Sequence, residues 1–468
     1  MQDAQPQRQQ EDDRKGDVNP APSATRIDLW GASALVPMQA HRERVFDLAF
    51  DASGNKWMAS ASEANEVKLW DVADEGVAPI LLQTLPHEAE VLRVAWGQKG
   101  SGGADPKASH SSWLATGSAA GGVRIYSVSS ASDQETEGGG SARAPASASL
   151  VTEFAHPEEG QQVYALQWVD NDINEGGKEP AHLLLTAADD KVSFWDVETQ
   201  SVTTKWTFEQ LPRAQDNESR CAVYGGANRN PGGMCYVFDA TVGKLYPGQT
   251  SDVVCLALSD GSVRVLDRRA GEAVATVRGV DGSHLTALCL GTEEGVLLAC
   301  GGRGEVVAYD TRTFSVRAVV EGYGRPVFGA AVVPRELAKE HILTENSEAP
   351  VVMTWSTDTC LRFFELGAEK ATVRHVVQHP NFPVFTAAFS PGPGLGGGKG
   401  GRRLVLGGGM GMPEPHAHTH THEHEEGGKG GGSCCSHGSD DEEHHHHHHG
   451  NEDEVLVPLS LLSYQFSK

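Results

Sequence analysis

One pattern recurs along this 468-residue chain and limits what it can become. Six segments, VKLWDV (67–72), VRIYSV (123–128), VSFWDV (192–197), VRVLDR (263–268), VVAYDT (306–311) and LRFFEL (361–366), alternate apolar and other residues and carry an aromatic residue or leucine at the fourth position. Period-two alternation marks a half-buried strand. Five of the six follow a turn rich in Gly, Asp, Asn or Lys (EANE, AAGG, ADDK, SDGS, GRGE), and the sixth follows STDTC. Such turns suit a tight hairpin, because Gly and Asn tolerate the positive φ it needs. Upstream of each lies another apolar run: WMASAS, WLATGS, LLLTAA, VVCLALS, VLLACGG and VVMTWST. A third run sits further upstream: VFDLAF, VLRVAW, VYALQW, LTALCL, VFGAAVV and finally VFTAAFS at 384–390.

A small antiparallel sheet of this kind cannot bury both of its faces alone. Stacking such sheets radially buries them, and closing the ring removes a continuous exposed edge. Three strands in this order, with a histidine before the first and Trp-Asp closing the third, resemble the WD40 repeat. The resemblance runs from about residue 25 to residue 468 and implies an all-β, WD40-type β-propeller. His41, His87 and His156 stand where the family's histidine is expected, and Trp-Asp survives at Trp70-Asp71 and Trp195-Asp196. Tyr126, Leu266, Tyr309 and Phe364 take the Trp position elsewhere. The family's buried His–Ser/Thr–Asp–Trp network is expected to be most complete in the third repeat, through His156, Thr186, Asp189 or Asp190, and Trp195. In the fifth, Arg303 falls where the Asp should be, and no network is expected.

Seven blades are counted, at about 41–85, 86–150, 151–208, 209–278, 279–322, 323–372 and 373–468. The excess length sits in insertions such as GQKGSGGADPKASHS, SASDQETEGGGSARAPAS and DNDINEGGKEP. MCYVFDAT (234–241) reads as a third strand of its own in the alternative count of eight. The two ends are expected to share the closing blade. In one arrangement RIDLWGASALVPMQAH (26–41) supplies its third and fourth strands. In the other, VLVPLSLLSYQF (455–466) is the third strand and the N-terminal segment adds only the outer one. Residues 1–24 read as a disordered tail, and 25–468 as a single propeller.

Residues 411–454 read as a His-, Gly- and acid-rich insertion in a hairpin turn of the last blade, and the WD40 resemblance implies that this turn opens on the face that carries the histidine-bearing loops. It has a His-x-His ladder (His416, His418, His420, His422, His424), a Cys434-Cys435 pair with His437, and six histidines in a row (His444, His445, His446, His447, His448, His449). These are ligand types for zinc, nickel and copper. A structural or catalytic site needs a rigid scaffold and outer hydrogen bonds, which Gly-, Ser- and Glu-rich chain does not supply. The expectation is loose Zn or Ni binding at interchangeable sites and no built-in cofactor. GGGMG (407–411) lacks the Lys-Ser/Thr ending of a phosphate loop.

The formal charge of −25 argues against nucleic acid or an anionic membrane as partner. No run of apolar residues is long enough to span a bilayer, and the polar N-terminus shows no signal peptide. Six scattered cysteines (Cys221, Cys235, Cys255, Cys289, Cys300, Cys360) read as reduced thiols, so a cytoplasmic or nuclear, non-secreted protein is expected. No Ser/His/Asp or Cys/His set stands at catalytic spacing, so no enzyme is expected. The first function reading is a scaffold for protein–protein interaction. Charged residues in the loops before first strands, Arg42, Glu43, Arg44 and Arg325, are candidate partner contacts. A second set, Asp267 with Arg269 and Asp310 with Arg312, repeats Asp-x-Arg after the third strands of two consecutive blades. It resembles the adaptor-docking motif of propellers that act as substrate receptors of a cullin–RING ubiquitin ligase, which implies such an adaptor as partner. A metal-responsive role for the His-rich stretch is the third reading.

Overall fold

The computed structural model describes residues 32–51, 57–72, 78–98, 111–130, 146–156, 161–169, 182–208, 235–249, 252–278, 283–343, 347–367, 370–390, 402–410 and 459–466. Every strand among them belongs to one of seven four-stranded antiparallel sheets. The first strand of each sheet is innermost: Val45–Phe50, Val91–Gln98, Val163–Val169, Val237–Gly243, Leu285–Gly291, Val327–Val332 and Val384–Phe389. Each inner strand packs beside the next, and Val45–Phe50 meets Val384–Phe389, so the seven sheets close into a ring. MCYVFDAT is therefore not a third strand. It carries the inner strand Val237–Gly243 of blade four, and the count is seven.

Second strands are buried along their whole length in five blades, for instance Trp57–Ser62 and Val296–Gly301. They lie between sheet neighbours on both sides and adjacent blades above and below, which explains runs as apolar as VVCLAL and VLLACG. Outer strands alternate instead and face solvent on one side, as Ala146–Ala155 does. Ala146–Ala155 closes blade two and Ala371–Gln378 closes blade six, so the expected boundaries at 150/151 and 372/373 fall inside these strands.

The last blade is built from both chain ends. Its order is Val384–Phe389, Arg402–Gly408, Leu461–Phe466 and, outermost, Ala32–Met38. The third strand is thus C-terminal, and of the described N-terminal residues only the outer strand is contributed. Of the two arrangements expected, the second holds. The short helix Arg335–His341, between the first two strands of blade six, braces this closure. Its Leu337 and Ala338 share one buried cluster with Leu404, Tyr464 and Phe466, and Ala32 and Leu35 of the outer strand pack against that cluster.

The hairpin turns behave as their residues require. Asn65, Gly121, Asp189, Gly261 and Gly304 hold positive φ between second and third strands. In blade six the same place falls to Thr359, at φ 70°, a costly conformation for a β-branched side chain.

Candidate functional site

In each blade the pairing of first with second strand slips by one residue near its start, between Val45 and Asp47 in blade one and at the matching place in the other six. A bulge of this kind turns one side chain out of the ladder. The residues turned out are Phe46, Leu92, Tyr164, Phe238, Thr286, Phe328 and Phe385. Five of the seven are aromatic, and they rim the central channel on the face of the His41 loop. All five are half-exposed. Phe385 lies edge-on to Phe328 at 5.1 Å and to Phe46 at 6.0 Å between centroids. Tyr164 and Phe238 form a second edge-on pair at 5.5 Å, continued by His284 at 5.8 Å from Phe238.

The expected arginines flank the first cluster. Arg44 holds Glu63 through two bonds of 2.6 and 2.5 Å, and its guanidinium lies 6.0 Å from the Phe385 centroid. Arg42 and Arg325 are exposed on the loops leading to Phe46 and Phe328. Below the rim, Asp47 accepts the amides of Leu48 (2.9 Å) and, across to blade two, Val94 (3.0 Å). Asp239 repeats this with Ala240 (2.9 Å) and Leu288 of blade five (2.8 Å). Both keep some open surface in the channel wall, yet protein surrounds them. Desolvation outweighs the attraction of Arg93 and the amide bonds and pushes both carboxyls up, Asp239 to about 6.

Behind the rim stand the networks that fix these loops. His41, His87 and His156 each reach a hydroxyl on the second strand of their own blade: Ser60 at 2.6 Å, Thr116 at 2.9 Å and Thr186 at 3.0 Å. Trp70 and Trp195 donate to Ser60 and Thr186, both at 2.9 Å. Blade one has a full four-membered chain, because His41 Nδ1 also meets Glu66 at 2.9 Å. Ser60 and Glu66 were not singled out by the repeat pattern. Burial opposes the Glu66 charge, but the bonds to His41 and Lys68 prevail and hold its carboxyl below the usual range. His87 donates through Nδ1 to the Leu85 carbonyl at 3.0 Å, so its Nε2 accepts from Thr116. Asp189 sits in the blade-three hairpin, and Asp190 lies 3.9 Å from Lys191.

The remaining blades improvise. In blade five Ala299 stands where Ser60 does. Arg303 is exposed, and Ser283 bonds Glu305, the register equivalent of Glu66. In blade six Tyr323 replaces the histidine and meets Thr354 at 2.6 Å. Arg362 covers the Tyr323 ring at 4.3 Å and pairs with Asp358 at 2.7 Å. Blade four repeats this pair: Arg264 lies over Phe208 at 5.6 Å and holds Asp260 at 3.2 Å. In blade seven Leu406 removes the hydroxyl, and His379 reaches past it to the Tyr464 hydroxyl. A signal for the arginines was present: the second position of the third-strand motif is Lys68, Arg124, Arg264 or Arg362 in four blades.

On the opposite face, the Asp-x-Arg carboxylates serve their own turns. Asp267 accepts the amides of Arg269 (2.9 Å) and Ala270 (2.8 Å), and Asp310 those of Arg312 (3.0 Å) and Thr313 (2.9 Å). Asp196 caps its turn in the same way. Arg312 instead lies over the Tyr246 ring at 5.0 Å. The candidate metal ligands, from His416 to His449, lie outside the described residues. The root of their segment is described: Ser460 accepts the amides of Ala40 and His41, so the segment joins the ring on the His41 face. Among the described residues no cluster of three or more His, Cys, Asp or Glu is arranged to hold a metal ion, and no helix is long and apolar enough to cross a membrane.

Residues 33–71 match the family model described as WD domain, G-beta repeat. That span begins in the outer strand of blade seven and ends with the third strand of blade one, so the sequence repeat straddles two sheets. With the same strand register recurring in all seven blades, the chain is a seven-bladed β-propeller in which one repeat matches the WD40 model. It is similar to the crystal structure of the Saccharomyces cerevisiae Sqt1, at 12% identity and a TM-score of 0.51, over 81% of this chain and 96% of that one. A search of curated proteins finds no match.

Proposed function

We propose that this propeller is a non-catalytic scaffold that assembles other proteins, and that the aromatic channel rim on the His41 face is where they dock. The observation that carries this reading is the Phe46–Phe385–Phe328 cluster, three large apolar rings left half-exposed by bulges in adjacent blades. Aromatic anchors of this kind dominate the energy of protein interfaces. The test is affinity capture from native lysate by wild type and by the double variant Phe328→Ala/Phe385→Ala. Partners held by the wild type should be lost by the variant at unchanged circular dichroism. An identical partner set would exclude the rim.

A second reading, a substrate receptor of a cullin–RING ubiquitin ligase, draws on the opposite face. Both Asp-x-Arg carboxylates are used by turn amides, and Arg312 is backed by Tyr246, so its charge is not spent on Asp310. Arg269→Ala/Arg312→Ala should abolish adaptor binding if this reading holds.

A further inference from the structure

We infer that the segment docking on the rim is an acidic stretch of a partner protein carrying an apolar anchor. The inference rests on the proposed use of the rim and adds the chemistry of what it takes. The chain is strongly acidic as a whole, at −25, yet the loops around the phenylalanine cluster are not. Three of their carboxylates are held by named partners: Glu63 by Arg44, Glu66 by His41 and Lys68, and Asp358 by Arg362; Glu43, between Arg42 and Arg44, acts on the Arg44 charge. Arg42 and Arg325 are exposed and have no ion-pair partner among the described residues, with Glu321 at the far end of the Arg325 loop. The Arg44 guanidinium, paired with Glu63, lies against the Phe385 ring. Two exposed arginines on the loops that lead to three partly exposed rings match a ligand with carboxylates next to a large apolar side chain. The charges would set approach and register, and the rings the grip.

The experiment selects short random peptides displayed against the full chain. The strongest binder is then synthesised and measured by fluorescence anisotropy at low and high salt. The expected binder is rich in Asp and Glu around one aromatic or aliphatic residue, and its affinity falls with salt. Arg42→Glu/Arg325→Glu should weaken it by about tenfold or more, and Phe328→Ala/Phe385→Ala should abolish binding. Neither arginine belongs to a folding network, so loss of structure does not confuse the result. Binders that are neutral or basic, but still lost with the phenylalanines, would overturn the acidic chemistry and leave the rim standing. Binders indifferent to the phenylalanines would overturn both. Displacement by a synthetic 412–454 peptide at matching concentration would make the chain's own acidic stretch the occupant and overturn the partner assignment. A selection that yields nothing would overturn it too.

Discussion

Ser60 accepts from Trp70 and bridges to His41, so Ser60→Ala strands two buried ring nitrogens with one deletion. The expected loss is about 2–4 kcal/mol, read by urea denaturation. Thr359 offers the reverse test. Its φ of 70° is one that Asn adopts far more readily, so Thr359→Asn should raise stability by roughly 0.5–1 kcal/mol in the same assay. The buried ionisable groups pull in opposite directions. Burial holds His87 and His379 down to about 4, below the unfolded value of 6.5. The unfolded chain then binds more protons below pH 6.5, and stability falls as pH drops from 6.5 to 4, by roughly 3 kcal/mol at most for His379. Asp239 is raised to about 6 from 3.8, so the folded state holds the extra proton there, and its contribution fades as pH rises from 4 to 6. Urea midpoints across this range should fall more steeply on the acid side in Asp239→Asn, which lacks the opposing titration.

Helix Arg335–His341 belongs to blade six but packs on the strands of blade seven. Leu337→Ala should cost about 2–5 kcal/mol, and hydrogen exchange should quicken at 32–38 and 461–466 before it does in blades two to five. What could be read from the chain follows the regularity of each element. Third strands stand out because alternation, an aromatic fourth residue and a Gly or Asn turn coincide, as in VSFWDV. The inner strand of blade four did not, since MCYVFDAT has the same aromatic-then-Asp outline. Leu461–Phe466 carries no Asp and lies some fifty residues from its sheet partner Arg402–Gly408, so its place in the ladder had no local signal. The rim escaped for a different reason. Phe46, Phe328 and Phe385 are turned out by bulges, and a bulge is a break in the very period that reveals strands. The histidine networks were legible where His, Thr and Trp kept family spacing. Tyr323 and Tyr464 were not, because each supplies by size a contact that the pattern assigns to other residues.

Seven inner strands in mutual contact make a rigid ring whose one seam is the closing blade. Deleting strand 32–38 should leave the backbone edge of Leu461–Phe466 uncovered, an edge ready to pair with another chain. The deletion variant should keep a β-rich circular dichroism spectrum and form higher-mass species by light scattering, while full-length protein stays at one size.

The register Met38↔Leu461 to Ala32↔Phe466 joins residues more than four hundred positions apart. During translation, at about 5–20 residues per second, the segment 32–38 waits roughly 20–90 s for its sheet neighbour to be made. Of the described strands, the first to be made is among the last to find its place. Over that interval the nascent ring has an open end, and a chaperone that shields one short apolar strand would be most useful to this chain then.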